Sequence, residues 1–217
     1  MPEVKSAEMA FSRVYHDAAI HSKAMILLLC LVFLINTVPM VYADMNWSET
    51  DSNRLAGLFG IINLLFQFLI VKRILQFNDQ VQASNRNFVP RMFGIQIVYF
   101  LAVGLGFICF IFPGIYIALR WSLAVPAMIA GDKSIADSIE ESWKLTDGKF
   151  IDLLLISLPI FALFGAVVAF VFVSFERVAP LIYMTIFESL VSFAIMVPWI
   201  IFPLIYIRLT KFEREKT

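Results

Sequence analysis

The sequence predicts an all-α polytopic membrane protein of six transmembrane helices, with two further amphipathic helices lying on the cytoplasmic side. Three observations carry that expectation. Of the 217 residues, 60% are hydrophobic and 16% charged, whereas soluble domains sit nearer half apolar and a quarter charged. Mean hydropathy is +0.83, and several runs exceed the ~18 apolar residues that indicate a membrane span. The basic residues also fall in linkers that a six-span topology places on one side.

Residues 1–217 read as a single membrane domain. Ser6 to Ser22 form the first amphipathic helix, with Ala7, Phe11, Val14, Tyr15 and Ala18 at helical spacing and Lys5, Glu8, Arg13 and Asp17 opposite them. Ser6 suits an N-cap. Phe11 and Tyr15 are the expected interfacial anchors, unless this helix packs on its own protein instead. His16 and His21 are five apart, the wrong spacing for two ligands on one helix face.

The first span covers about 24–43 and the second about 55–71, ending at Lys72-Arg73. A long apolar run from Phe93 to Ala130 is interrupted at Pro113-Gly114. It reads either as one kinked span or as two, 93–112 and 114–130, joined by a hairpin turn at Pro113 and Gly114. Charge decides for the hairpin. Six spans put all eight lysines and six of the nine arginines on one side, as the positive-inside rule requires. Both termini are then cytoplasmic.

The second amphipathic helix covers 134–147. Ser134 and Asp137 form its expected capping pair, Ile135, Ile139 and Trp143 make a stripe with Ile139 and Trp143 as anchors, and Gly148 is its natural stop. The fifth span covers about 151–174, with Asp152 favoured at its N-terminus, and the sixth about 181–207, with bends expected at Pro198 and Pro203. Ser6, Phe11 and Tyr15 match Ser134, Ile139 and Trp143 at one constant offset, a weak parallel repeat that any interfacial helix feeding a span could also produce.

Charges within spans are costly and draw functional attention. Arg120 lies six residues past Gly114, about 9 Å below the outer turn, and Glu188 seven past Leu181, about 10 Å below the same face. They are read as a buried ion pair locking the fourth and sixth spans. The sharper alternative is a ligand site, in which one of them meets an anionic head group or a proton. Asn36, Asn63, Gln67 and Gln96 are expected to hydrogen-bond between helices. Cys30 and Cys109 read as small buried residues on opposite faces of the membrane, too far apart for a disulfide.

Seventeen basic and seventeen acidic residues cancel, so nothing points to nucleic acid. There is no phosphate-binding Gly-rich loop, HExxH, nucleophile elbow or CxxC. Glu140-Glu141, consecutive in a helix, diverge and read as a solvated face. The expectation is therefore no enzyme, no cofactor, no metal and no catalytic residue, with membrane lipid as partner and another membrane protein as the further candidate.

The segment PGIYIALRWSLAVPAMIAGDKSIADSIEESWKLTDGKF carries a family resemblance. Pro113-Gly114 before an apolar run, the turn Gly131-Asp132-Lys133 and a helix ending Ser142-Trp143-Lys144-Leu145-Thr146 resemble the membrane domain attached to some bacterial glycerophosphoryl diester phosphodiesterases. They also resemble the YciC-like inner-membrane proteins, which stand alone. An arginine at position 120 is more like the phosphodiesterase-linked group. The resemblance implies a bacterial inner-membrane protein of six helices, in which catalysis belongs to a separate soluble barrel that this sequence lacks. The function it implies is lipid or partner binding in envelope homeostasis. The alternative is a small-solute or ion transporter or channel using Arg120 and Glu188.

Overall fold

The computed structural model describes residues 11–80, 88–174 and 180–215. Its elements are α1 (Phe11–Ala24), α2 (Ile26–Asn46), α3 (Glu49–Phe77), α4 (Phe88–Cys109), α5 (Ile111–Trp121), α6 (Ala124–Gly131), α7 (Ile135–Leu145), α8 (Phe150–Ser174) and α9 (Pro180–Arg214). No strand occurs among the described residues. Six stretches are long and apolar enough to cross a membrane: α2, α3, α4, α5 with α6, α8, and α9. The expected all-α, six-span class holds.

The outward surface explains the composition. Leu27, Phe100 and Ile108 are 84%, 78% and 82% exposed, which in water would form a large apolar patch but in a bilayer is ordinary lipid-facing surface. Cys30 and Cys109 belong to this surface as free, exposed thiols, not to the interior. The core is built on α9, which packs against α1, α2, α3 and α8 and touches α6 and α7. From Trp199 to Leu209 most of its side chains are buried, and the helix continues through Pro198 and Pro203.

One end of the bundle gathers the basic linkers. There Arg91 grips Asp132 and the carbonyls of Asp132 and Lys133 (3.1 and 3.2 Å). Arg208 pairs with Asp17 at 2.6 Å and Lys149 with Glu213 at 3.3 Å. Lys133 bonds Glu141 at 2.7 Å, and Tyr206 donates to the same carboxylate at 3.3 Å. Glu141 is thus a tie between α7 and α9, not part of a solvated face. Helix α1 lies here too, with Val14 and Ala18 buried and the Tyr15 hydroxyl donating to the Ile156 carbonyl at 2.8 Å. Burial of that phenol raises its pKa. Tyr15 therefore faces its own protein. Ser6 and the Phe11 side chain lie outside the described residues.

The hairpin is present, displaced from where Pro113-Gly114 suggested. The chain turns at Phe110, whose backbone is extended (φ −169°, ψ 156°). Pro113 and Gly114 sit in the first turn of α5, where a missing N–H costs no helical bond. Gly114 serves the crossing of α4 and α5 instead, because a Cβ on Gly106 would stand 2.8 Å from the Gly114 Cα.

Candidate functional site at the broken helix

The stretch expected to be one span from 114 to 130 is broken into α5 and α6. Pro126 supplies the reason. In a continuous helix its missing N–H would orphan the Ser122 carbonyl, and its ring would clash with that carbonyl. The helix stops at Trp121 and restarts at Ala124, leaving carbonyls and N–H groups without helical partners inside the bundle.

Helix α7 supplies the partners. Ser142 Oγ donates to the Arg120 carbonyl at 2.7 Å and accepts from the Leu123 N–H at 3.2 Å. Thr146 Oγ1 reaches the Ser142 carbonyl at 2.7 Å and the Arg120 carbonyl at 3.4 Å. Ser122 satisfies the Leu119 carbonyl at 2.8 Å. The buried row of α7 is accordingly Ser138, Ser142 and Leu145, while Trp143 is 39% exposed. Ile135 and Ile139 are only partly buried against the core. Small hydroxyl residues let the two helices approach closely. The rest of α7 follows expectation: Ser134 Oγ accepts from the Asp137 N–H at 3.2 Å, and Gly148 takes φ +65° after the helix.

Arg120 is 4% exposed, but it does not meet Glu188. Its Nη2 bonds Asp147 Oδ1 at 3.1 Å, and its guanidinium lies 4.4 Å from the Trp143 ring centroid and 5.8 Å from that of Tyr116, within cation–π range. Arg120 Nε is buried without a partner. The expected pair fails because the break brings the C-terminus of α5 to the α7–α8 loop at the basic end. Glu188 lies instead in the N-terminal half of α9, away from the basic end, where Asp44 is its charged neighbour. Depth counted along an unbroken helix could not separate the two. Asp147 is 80% exposed, so the two halves of its pair are unequal. Asp147→Asn, which strands a buried cation, should cost about 1–2 kcal/mol, more than Arg120→Met, which leaves a hydrated carboxylate. Thermal unfolding of the two variants in detergent tests the order.

On the other side of α5 lies a cavity of about 340 Å³, within the ~300–1,000 Å³ range of ligand pockets. Its walls come from α3, α4, α5, α6, α8 and α9 and are largely aromatic and aliphatic, with Tyr99, Trp121, Phe161 and Trp199 prominent. Its polar groups are few. Gln96 donates to Gln67 at 2.7 Å, and the Tyr99 hydroxyl to the Ala118 carbonyl at 3.2 Å. Ser157 Oγ, also on the wall, is buried with no partner. Elsewhere Asn63 donates to Asn36 at 2.9 Å, so these amides do join helices as expected.

The family model for the membrane domain of glycerophosphoryl diester phosphodiesterase matches residues 95–212, more than half of the chain, and takes in the broken helix, α7 and the core half of α9. The chain belongs to that family. No curated protein and no solved structure matches it. Within this family match, Ser142, Trp143 and Thr146 hold the helix break and cover Arg120. Family and helices together make this a multi-pass membrane protein.

Proposed function

We propose that this is a non-enzymatic protein of the bacterial inner membrane that holds a membrane lipid by its acyl chain, in support of the envelope. The cavity behind the broken helix carries this reading. Its walls suit hydrocarbon, its few polar groups are almost all engaged with each other, and the surrounding bilayer supplies acyl chains at high concentration. The collected lysines and arginines support placing the basic end, with both termini, in the cytoplasm. Trp143 and Ile139 would then lie at head-group level on that face.

Native mass spectrometry on protein extracted gently from its own membrane tests the reading. The parent should retain phospholipid, and Ser157→Leu, which fills the cavity, should lower occupancy about tenfold, equivalent to about 1.4 kcal/mol. A bare parent protein, or equal occupancy in the variant, would overturn it. A small-solute or ion transporter is the second reading. It is favoured by Glu188, which is 9% exposed and has no basic partner among the described residues; Arg120, already met by Asp147, lends it little.

A further inference from the structure

The hydroxyls of Ser122, Ser138, Thr146, Thr185 and Thr210 each donate to a carbonyl three or four residues earlier in the chain, at 2.6–2.9 Å. Thr37 meets Ser192 across two helices at 3.2 Å. Ser157, in α8, departs from that habit. It is 1% exposed, its Oγ has no hydrogen-bond partner, and it stands on the wall of the cavity behind the broken helix. Buried polar atoms without a partner are few, and each calls for an explanation. The rest of the wall is largely hydrocarbon, so the missing partner belongs to whatever fills the cavity.

The same wall holds a second source of donors. Gln67 accepts from the Gln96 amide at 2.7 Å, which leaves the two N–H groups of Gln67 to donate elsewhere. Depth indicates what could accept. Lys72, Arg91 and Lys149 mark the basic end beside α3, α4 and α8. Gln67 and Gln96 lie five residues from Lys72 and Arg91, and Ser157 eight from Lys149, or about 8 and 12 Å at helical rise. Basic side chains settle at phosphate level, and the interfacial layer beneath is about 5–8 Å deep. These donors therefore sit near the depth at which a phospholipid passes from glycerol ester to hydrocarbon. The ester carbonyl is the acceptor that the bilayer supplies there.

We propose that the cavity receives the ester carbonyl of a diacyl phospholipid together with the start of its chain, with Ser157 donating to that oxygen and Gln67 as the second donor on the wall. This rests on the reading of the cavity as a lipid site and adds which part of the lipid is recognised. The site then selects an acyl ester over a plain chain. An alkyl ether or a detergent tail can fill the same apolar walls, but it offers Ser157 no carbonyl. A carbonyl held at this depth also leaves the phosphate at the basic end.

The test strips the detergent-solubilised protein of lipid and offers it an equimolar mixture of diacyl and dialkyl phosphatidylglycerol of matched chain length, with occupancy followed by native mass spectrometry. The two lipids differ only in their carbonyls. The parent should hold the diacyl form about three- to tenfold more, the range of one neutral hydrogen bond, and Ser157→Ala should hold the two equally. Equal uptake by the parent would overturn carbonyl recognition and leave the chain-binding cavity standing. Uptake of neither lipid would overturn both. A diacyl preference undiminished in Ser157→Ala would place the recognition elsewhere and overturn the role of Ser157. The lipid-free variant should melt no lower than the parent, because it loses an unpaired oxygen; a clear loss of stability would mean that the hydroxyl already has a protein partner, and would equally overturn the proposal.

Discussion

Ser142→Ala is expected to destabilise the protein by about 2–4 kcal/mol, out of proportion to the loss of one oxygen. The hydroxyl serves two backbone groups at once, accepting from the Leu123 N–H and donating to the Arg120 carbonyl. Both belong to the gap between α5 and α6, and Ser142 itself is wholly buried. Water cannot replace the serine there, so each group bears a desolvation cost of about 1–3 kcal/mol. Thr146, at 3.4 Å from the Arg120 carbonyl, recovers part of one loss and none of the other. Ser138→Ala is the control. Ser138 is equally buried, but its hydroxyl only adds a 2.6 Å bond to the Ser134 carbonyl, which already accepts the Ser138 N–H at 3.0 Å. Unfolding of the two variants in the same detergent should separate them by more than 1 kcal/mol, and equal stability would remove Ser142 from its bridging role.

What the sequence could and could not reveal follows from the physics of each signal. Spans were legible because hydropathy is additive along a helix and survives any packing arrangement. The Ser134–Asp137 cap and the Gly148 stop were legible because they are local, satisfied within four residues. The position of Arg120 was not. Its depth was counted along α5, which is continuous through Arg120 to Trp121, but depth does not say which neighbour a side chain faces, and the break that Pro126 makes at Ser122 brings α7 and Asp147 to it. The interval from Ser122 to Pro126 is four residues, the distance at which a proline ring meets a helical carbonyl, so the signal was available. The face of α7 that packs against the bundle was illegible for a different reason. Ile135, Ile139 and Trp143 are the most apolar choice, but the close approach of α7 to the break demanded hydroxyls, and Ser138 and Ser142 took the buried face. Hydrophobicity identifies a buried face only where the neighbour has no polar groups to satisfy.

The other large effect is expected at the crossing of α4 and α5. Gly106→Ala should cost about 3 kcal/mol, because its Cβ would lie 2.8 Å from the Gly114 Cα, 2.9 Å from the Gly114 nitrogen and 3.2 Å from the Pro113 carbonyl carbon. These are backbone atoms in the first turn of a helix, which cannot rotate aside, so the hairpin itself must open. Gly114→Ala meets the Phe107 ring at 2.6 Å, a side chain 45% exposed that can swing toward lipid, and should cost less. Gly104→Ala and Gly165→Ala, with nothing within 4 Å, should be neutral or stabilising by about 0.5–1 kcal/mol through helix propensity. Melting temperatures of the four variants would test the order, and a neutral Gly106→Ala would refute the close crossing. The same substitution reaches the cavity, since the hairpin fixes Tyr99 against the Ala118 carbonyl, both on the cavity wall. Opening the crossing should therefore lower stability and lipid retention together. Ser157→Leu, which occupies the cavity and leaves the hairpin intact, should lower retention alone. That difference separates a cavity built to receive a chain from one left over by helix packing.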